Sequence, residues 1–323
     1  MSEPTLNFVN CPDATGGHRM AYWQWGRPQA GHVIVCAHGL SRQGRDFDVL
    51  AQELIAKGGD DVRVVCPDVV GRGQSDWLKD PMGYQIPHYA ADMLALLAQL
   101  KPTKLDWVGT SMGGLIGIVL AGTPGWLAAT AAATGSTGQT NAPAGNNAAP
   151  TVPGVGVNKL VLNDVGPVLE WEALVRIGQY LGNAPRFASL EQAAAAMWAV
   201  STSFGPHTPG QWLALSRPMV KPVADAQGGV VLHYDPAIAV PFRAITQESA
   251  AQAQVAVWAL YDNIKAPTLL LRGAQSDVLS PETALAMTQR GPQARLVEFE
   301  GVGHAPTLIA DDQVDAVTRF LLG

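Results

Sequence analysis

The sequence predicts an α/β protein: a mostly parallel central sheet with helices on both faces and an inserted helical lid. Three observations carry this expectation. Short continuous apolar runs, suited to strands buried on both faces, recur along the chain. Helical patterns alternate with them. One long stretch, about 165–263, breaks that rhythm and sits between two of the runs.

Taken in order, Leu6 to Gly26 alternates apolar and polar residues around a turn at Pro12 to Gly17, the pattern of an antiparallel hairpin. His32 to Ala37 (HVIVCA), Val62 to Cys66, Leu105 to Val108, Leu160 to Leu162, Thr268 to Leu271 and Leu296 to Phe299 read as central strands. Phe47 to Lys57, His88 to Leu100 and Gln313 to Leu322 place apolar residues at helical spacing, with stops at Gly58-Gly59 and Pro102. Within the irregular stretch, helices are expected at Glu170 to Leu181, Leu190 to Val200 and near Gln252 to Tyr261, with Pro-rich turns between. Residues 130–157 are rich in Ala, Gly, Thr, Asn and Pro and are expected as a flexible surface insert. The expected division is a core of residues 1–164 and 264–323 and a cap of residues 165–263.

Composition excludes several function classes. The 323 residues carry a net charge of −6 and only 15% charged residues, against about 25% in ordinary proteins. A basic nucleic-acid surface or a polybasic membrane patch is not expected. The apolar stretch Gly113 to Ala133 holds five glycines and a proline and lacks flanking basic anchors, so it reads as a buried helix running into the insert rather than a membrane span. Three cysteines, Cys11, Cys36 and Cys66, with no CxxC pair, make no disulfide scaffold; Cys36 and Cys66 end apolar runs and read as buried thiols. The N-terminal residues MSEPTLNFVNCPD resemble no signal peptide, which points to the reducing cytoplasm.

The sharpest chemical signal is Gly109-Thr110-Ser111-Met112-Gly113, between a strand and a helix. A sharp turn there would hold the Ser111 hydroxyl above the sheet edge, at a helix N-terminus that favours developing negative charge. Serine needs a base. Of seven histidines, His304 lies in a glycine-rich loop after the last expected strand, and so at the same carboxyl edge as Ser111. The base needs a carboxylate to fix its tautomer. Asp277 follows one strand to that edge and Asp164 follows another; either reaches it. The oxyanion hole is expected from the backbone N–H groups of Met112 and Leu40, the latter in His38-Gly39-Leu40-Ser41.

Together these residues resemble the α/β-hydrolase-fold enzymes over nearly the whole chain. The resemblance rests on His38-Gly39, Asp68 through Asp76 (DVVGRGQSD), Gly109 through Gly114, Arg272-Gly273 through Asp277, and Gly303-His304. In that family the acid most often follows the strand before the histidine's strand, so the resemblance favours Asp277. Relatives that dehalogenate haloalkanes or open epoxides use an aspartate nucleophile, where this chain has Ser111. The implied activity is hydrolysis of small to medium carboxylic esters through an acyl-enzyme on Ser111, with no metal or organic cofactor. The expected partner is a small apolar ester, with no nucleic acid and no membrane. The same triad also serves carbon–carbon, lactone or amide hydrolysis and perhydrolysis, and the fold also serves inactive receptors. The cap's Trp171, Tyr180, Phe187, Trp198, Phe204 and Trp212 are expected to shape an apolar pocket.

Overall fold

A computed structural model describes residues 3–123 and 156–323. The N-terminal hairpin pairs β1 (Thr5–Cys11) with β2 (His18–Gly26). There follow β3 (His32–Ala37), α1 (Asp48–Gly58), β4 (Val62–Pro67), α2 (Ile86–Leu100), β5 (Lys104–Thr110), α3 (Met112–Gly122) and β6 (Val157–Asn163). The expected insert at 130–157 lies outside the described residues up to position 155, and the strand after it begins earlier than expected, at Val157.

Between β6 and the next core strand the chain forms α4 (Trp171–Tyr180), β7 (Arg186–Phe187), α5 (Leu190–Ala199), α6 (Pro209–Ser216), β8 (Val220–Pro222), β9 (Val230–Leu232), α7 (Ala239–Arg243) and α8 (Gln247–Asn263). The core then resumes with β10 (Thr268–Gly273), α9 (Pro281–Gln289), β11 (Arg295–Phe299) and α10 (Asp311–Leu322). The segment expected to be helical thus also carries a small antiparallel sheet, in the order β7-β9-β8.

The main sheet has eight strands in the order β1-β2-β4-β3-β5-β6-β10-β11. From β4 to β11 every pairing is parallel; β1 and β2 run antiparallel at one edge. The pleat sends alternate side chains to opposite faces. Val33, Val35 and Ala37 of β3 join a core under α2, α3 and α8, whereas Ile34 and Cys36 join one under α1 and α10. This two-sided burial is why the strands read as unbroken apolar runs.

All three cysteines are buried free thiols. Burial beside Cys36 pushes the Cys66 thiol well above its ordinary range, so it is inert rather than nucleophilic. Among the described residues no helix is long and apolar enough to cross a membrane.

Candidate active site

The turn between β5 and α3 puts Ser111 at a backbone φ of 51° and ψ of −114°, a region that non-glycine residues rarely occupy. Packing enforces it. A Cβ on Gly109 would lie 2.3 Å from the Gly113 carbonyl oxygen, and one on Gly113 would lie 2.0 Å from that of Ala37. The Ser111 N–H donates to the Asn163 carbonyl at 3.0 Å, tying the turn to the end of β6.

The Ser111 hydroxyl lies 3.0 Å from His304 Nε2, and His304 Nδ1 lies 2.7 Å from Asp164 Oδ2. A carboxylate only accepts, so Nδ1 carries the proton and Nε2 is left to accept from Ser111. The carboxylate at the histidine is therefore that of Asp164, and the expectation for Asp277 is corrected. The physical reason is an offset of one residue. Ser276, not residue 277, turns toward the histidine, and its hydroxyl donates to Asp164 Oδ2 at 2.6 Å. Asp277 points the other way and pairs with Arg176 of α4 at 2.7 Å, half-exposed.

Asp164 is fully buried and well held. Its Oδ1 accepts from the Gly273 N–H at 2.9 Å, and its own N–H donates to the Leu271 carbonyl at 2.8 Å. Its φ of +56° is one that Asp tolerates better than most residues. The segment between β6 and β10 braces the histidine from the other side. Ser203 Oγ donates to the His304 carbonyl at 3.1 Å, the Gly303 N–H donates to the Ser203 carbonyl, and His207 Nε2 lies 2.9 Å from Thr307 Oγ1.

Met112 opens α3 directly after Ser111, and Leu40 lines the cavity beside Ser111; among the described residues neither N–H has a protein acceptor. The Leu40 loop is anchored by two buried side chains. His38 accepts from the Val69 N–H at Nε2 and donates from Nδ1 to the Gly39 carbonyl. Burial lowers its pKa to about 3, which keeps it neutral. Arg72 is fully buried; its Nε donates to the Leu40 carbonyl at 2.8 Å and its Nη1 to the Val70 carbonyl and Tyr89 hydroxyl. The Gly71-to-Asp76 loop therefore acts on the site through Arg72, a link invisible in the order of residues.

The site opens into a cavity of about 280 Å³ bounded by Leu40, Ser111 and His304 below and by Ile177, Phe204 and Leu232 of the inserted segment above. Of the aromatics in the inserted segment, Tyr180, Phe187, Phe204 and Tyr234 line it. Trp198 and Trp212 instead pack edge to face at 4.9 Å in a small cluster that Phe204 also joins.

A second polar cluster lies under the hairpin, away from this cavity. Potential ligand atoms of Cys11, His18 and Asp92, and of Asp13, His18 and His88, fall within 4.8 Å of one another. Both ring nitrogens of His18 are already engaged, by Asp13 at 3.0 Å and Asp92 at 3.1 Å, while the buried His88 Nε2 lies 3.8 Å from Asp92 Oδ1 and makes no hydrogen bond.

Comparison with known proteins agrees with this architecture. A family model of the alpha/beta hydrolase fold matches residues 32–310. A protein of Cupriavidus necator named 3-hydroxybutyrate-oligomer hydrolase is 45% identical over 323 residues, covering 100% of this chain and 99% of its own. The crystal structure of an alpha/beta hydrolase from Novosphingobium aromaticivorans is 33% identical, covers 99% of each chain and superposes with a TM-score of 0.76. An esterase from Exiguobacterium antarcticum shares the fold at a TM-score of 0.62 and 19% identity, over 98% of this chain and 97% of its own. The chain belongs to the alpha/beta hydrolase fold family and is a hydrolase.

Proposed function

We propose that the protein cleaves carboxylic esters of small to medium size through an acyl-enzyme on Ser111, and that short oligomers of a 3-hydroxy acid are its substrates. The observation that carries the ester chemistry is the unbroken Ser111–His304–Asp164 hydrogen-bonded chain at the floor of a small apolar cavity. The substrate class draws its support from the full-length relative in Cupriavidus necator, whose name states that substrate.

Ser111 Oγ attacks the acyl carbon as His304 Nε2 takes its proton. The oxyanion forms between the Met112 and Leu40 amides, at a helix N-terminus that favours negative charge. Asp164 stays ionised and stabilises the imidazolium. His304 then gives its proton to the departing alcohol, leaving the acyl group on Ser111. A water molecule loses a proton to His304, attacks the acyl carbon and releases the acid. One ester and one water become one acid and one alcohol. The cavity is near the low end of small-molecule sites, which run from about 300 Å³ upward, and this limits the bound portion to a few carbon units.

The test is hydrolysis of p-nitrophenyl esters from acetate to laurate and of 3-hydroxybutyrate dimer and trimer, with wild type beside Ser111→Ala. The expected result is turnover that peaks at short acyl chains, includes the oligomers, and falls about 10⁴–10⁶-fold in the variant. Near-normal turnover in Ser111→Ala would overturn the mechanism; silence on the oligomers with turnover of simple esters would overturn the substrate class alone.

A further inference from the structure

The cavity has an uneven charge. Among the described residues that line it there is no aspartate or glutamate, but there are two arginines, Arg42 and Arg176. Arg42 is held by both oxygens of one carboxylate: its Nε and Nη2 reach Asp46 at 2.6 Å each, and Nη2 also reaches the Leu215 carbonyl. Arg176 is held by one. Its Nε and Nη2 share a single oxygen of Asp277, at 2.8 and 2.7 Å, and while Arg176 lines the cavity, Asp277 does not. The two side chains are 39% and 46% exposed, and an ion pair so accessible contributes little to folding and exchanges readily. A guanidinium held by one exposed carboxylate and beside the Tyr180 hydroxyl, at the wall of a largely apolar cavity, matches a planar carboxylate in geometry and charge.

We infer that Arg176 binds the free terminal carboxylate of an acid-ended ester, with Asp277 as the counter-ion that holds the guanidinium in place. This rests on the reading of the protein as a hydroxy-acid oligomer hydrolase and narrows it. In a 3-hydroxy-acid oligomer the alcohol released by each cleavage is itself a hydroxy acid, and at the chain end it bears the free carboxylate. Anchoring that carboxylate places the last ester bond over Ser111. Cleavage then proceeds from the carboxyl end, each event consuming one water and releasing one short hydroxy acid. The upstream reaction that supplies such a substrate is one that breaks a longer polyester into acid-ended pieces. The downstream one consumes a free 3-hydroxy acid.

The experiment compares 3-hydroxybutyryl-3-hydroxybutyrate with its terminal carboxamide, a neutral mimic of equal size. A charge-assisted contact of this kind should give wild type about a 10–100-fold preference for the acid in kcat/KM, carried in KM. Arg176→Gln should bring the ratio of acid to amide close to one, and Arg176→Lys should restore part of it. Asp277→Asn, which keeps a side-chain oxygen to hold the guanidinium but removes the competing charge, should raise the ratio. A wild type that does not distinguish acid from amide would overturn the inference. So would an Arg176→Gln variant that loses both substrates equally, the signature of a structural role. Ser111-dependent cleavage of both compounds without discrimination would leave the ester chemistry standing; cleavage of neither, with simple p-nitrophenyl esters still turned over, would remove the oligomer reading itself.

Discussion

Substituting Asn at Asp164 and at Asp277 gives opposite outcomes if the geometry sets the chemistry. Each partner of the Asp164 carboxylate is a donor: the Gly273 N–H at 2.9 Å, the Ser276 hydroxyl at 2.6 Å and His304 Nδ1 at 2.7 Å. Ser276 Oγ itself accepts from the Val278 and Leu279 amides, so its hydrogen is committed to Asp164. In Asp164→Asn the side-chain carbonyl stays on the fixed Gly273 N–H and the NH₂ group then faces His304. The imidazole responds by accepting at Nδ1 and protonating Nε2, which turns a donor toward Ser111 and abolishes the base. The same exchange in a well-studied triad costs about 10⁴-fold in kcat, or about 5–6 kcal/mol on the barrier. Asn tolerates the left-handed backbone at this position, so the fold should survive, and a thermal melt checks that it does. Asp277→Asn should stay within about tenfold of wild type on p-nitrophenyl butyrate, because among the described residues its carboxylate pairs with Arg176 alone. Steady-state kcat on that ester decides the matter. A folded Asp164→Asn enzyme above a tenth of wild-type activity, beside an Asp277→Asn enzyme reduced a thousandfold, would refute the assignment.

Arg72→Met should lower kcat by about 10–100-fold with KM little changed, because it releases the Leu40 carbonyl and lets one oxyanion donor drift; wild-type kcat in a folded variant would show that the loop holds itself. His18 gives a pH signature. Burial pulls its pKa down, but its hydrogen bonds to Asp92 and Asp13 outweigh burial and leave it raised. A raised histidine stabilises the fold fully below its unfolded value of about 6.5, and that contribution fades as pH rises through the folded value. Urea midpoints should therefore drop between pH 6 and pH 8.5 in wild type and drop less in His18→Gln; parallel curves would exclude the imidazolium.

What the sequence made legible follows from how local each cause is. The parallel strands showed themselves because burial on both faces leaves few polar residues, as in residues 33–37 of β3 and 269–271 of β10. The turn at Ser111 was legible because most of its signature lies within five residues, from Gly109 to Gly113. The helix Pro281–Gln289 and the sheet of β7, β8 and β9 were not. The helix is nine residues long, too short for periodicity to stand out, and the strands are two or three residues each. Arg72 was quoted as part of a motif but its task was hidden, since its partner Leu40 lies 32 residues away in sequence.

The acid is the sharper case, because both candidates were in view and the choice turned on register. Strands β6 and β10 are neighbours, with Asn163 opposite Leu271. Asp164 is thus the first residue beyond the ladder, its N–H still bonded to the Leu271 carbonyl, and its side chain folds over the end of β10 to cap Gly273. That fold-over carries the carboxylate beneath His304. The loop after β10 places Ser276 there, and its uncharged hydroxyl gives the buried anion a donor. With Asp277 displaced by one position, its charge is free to face α4 and to meet Arg176. One alignment between two strands therefore decides both which aspartate serves the histidine and which aspartate holds the arginine at the cavity wall. Exchanging the residues at 276 and 277 would test that coupling, since an aspartate at 276 would set two carboxylates against each other beside His304. The expected result is an enzyme whose activity falls as the shared proton is lost with rising pH, read from the pH profile of kcat beside wild type. A profile unchanged from wild type would show that the loop, and not the register, chooses the acid.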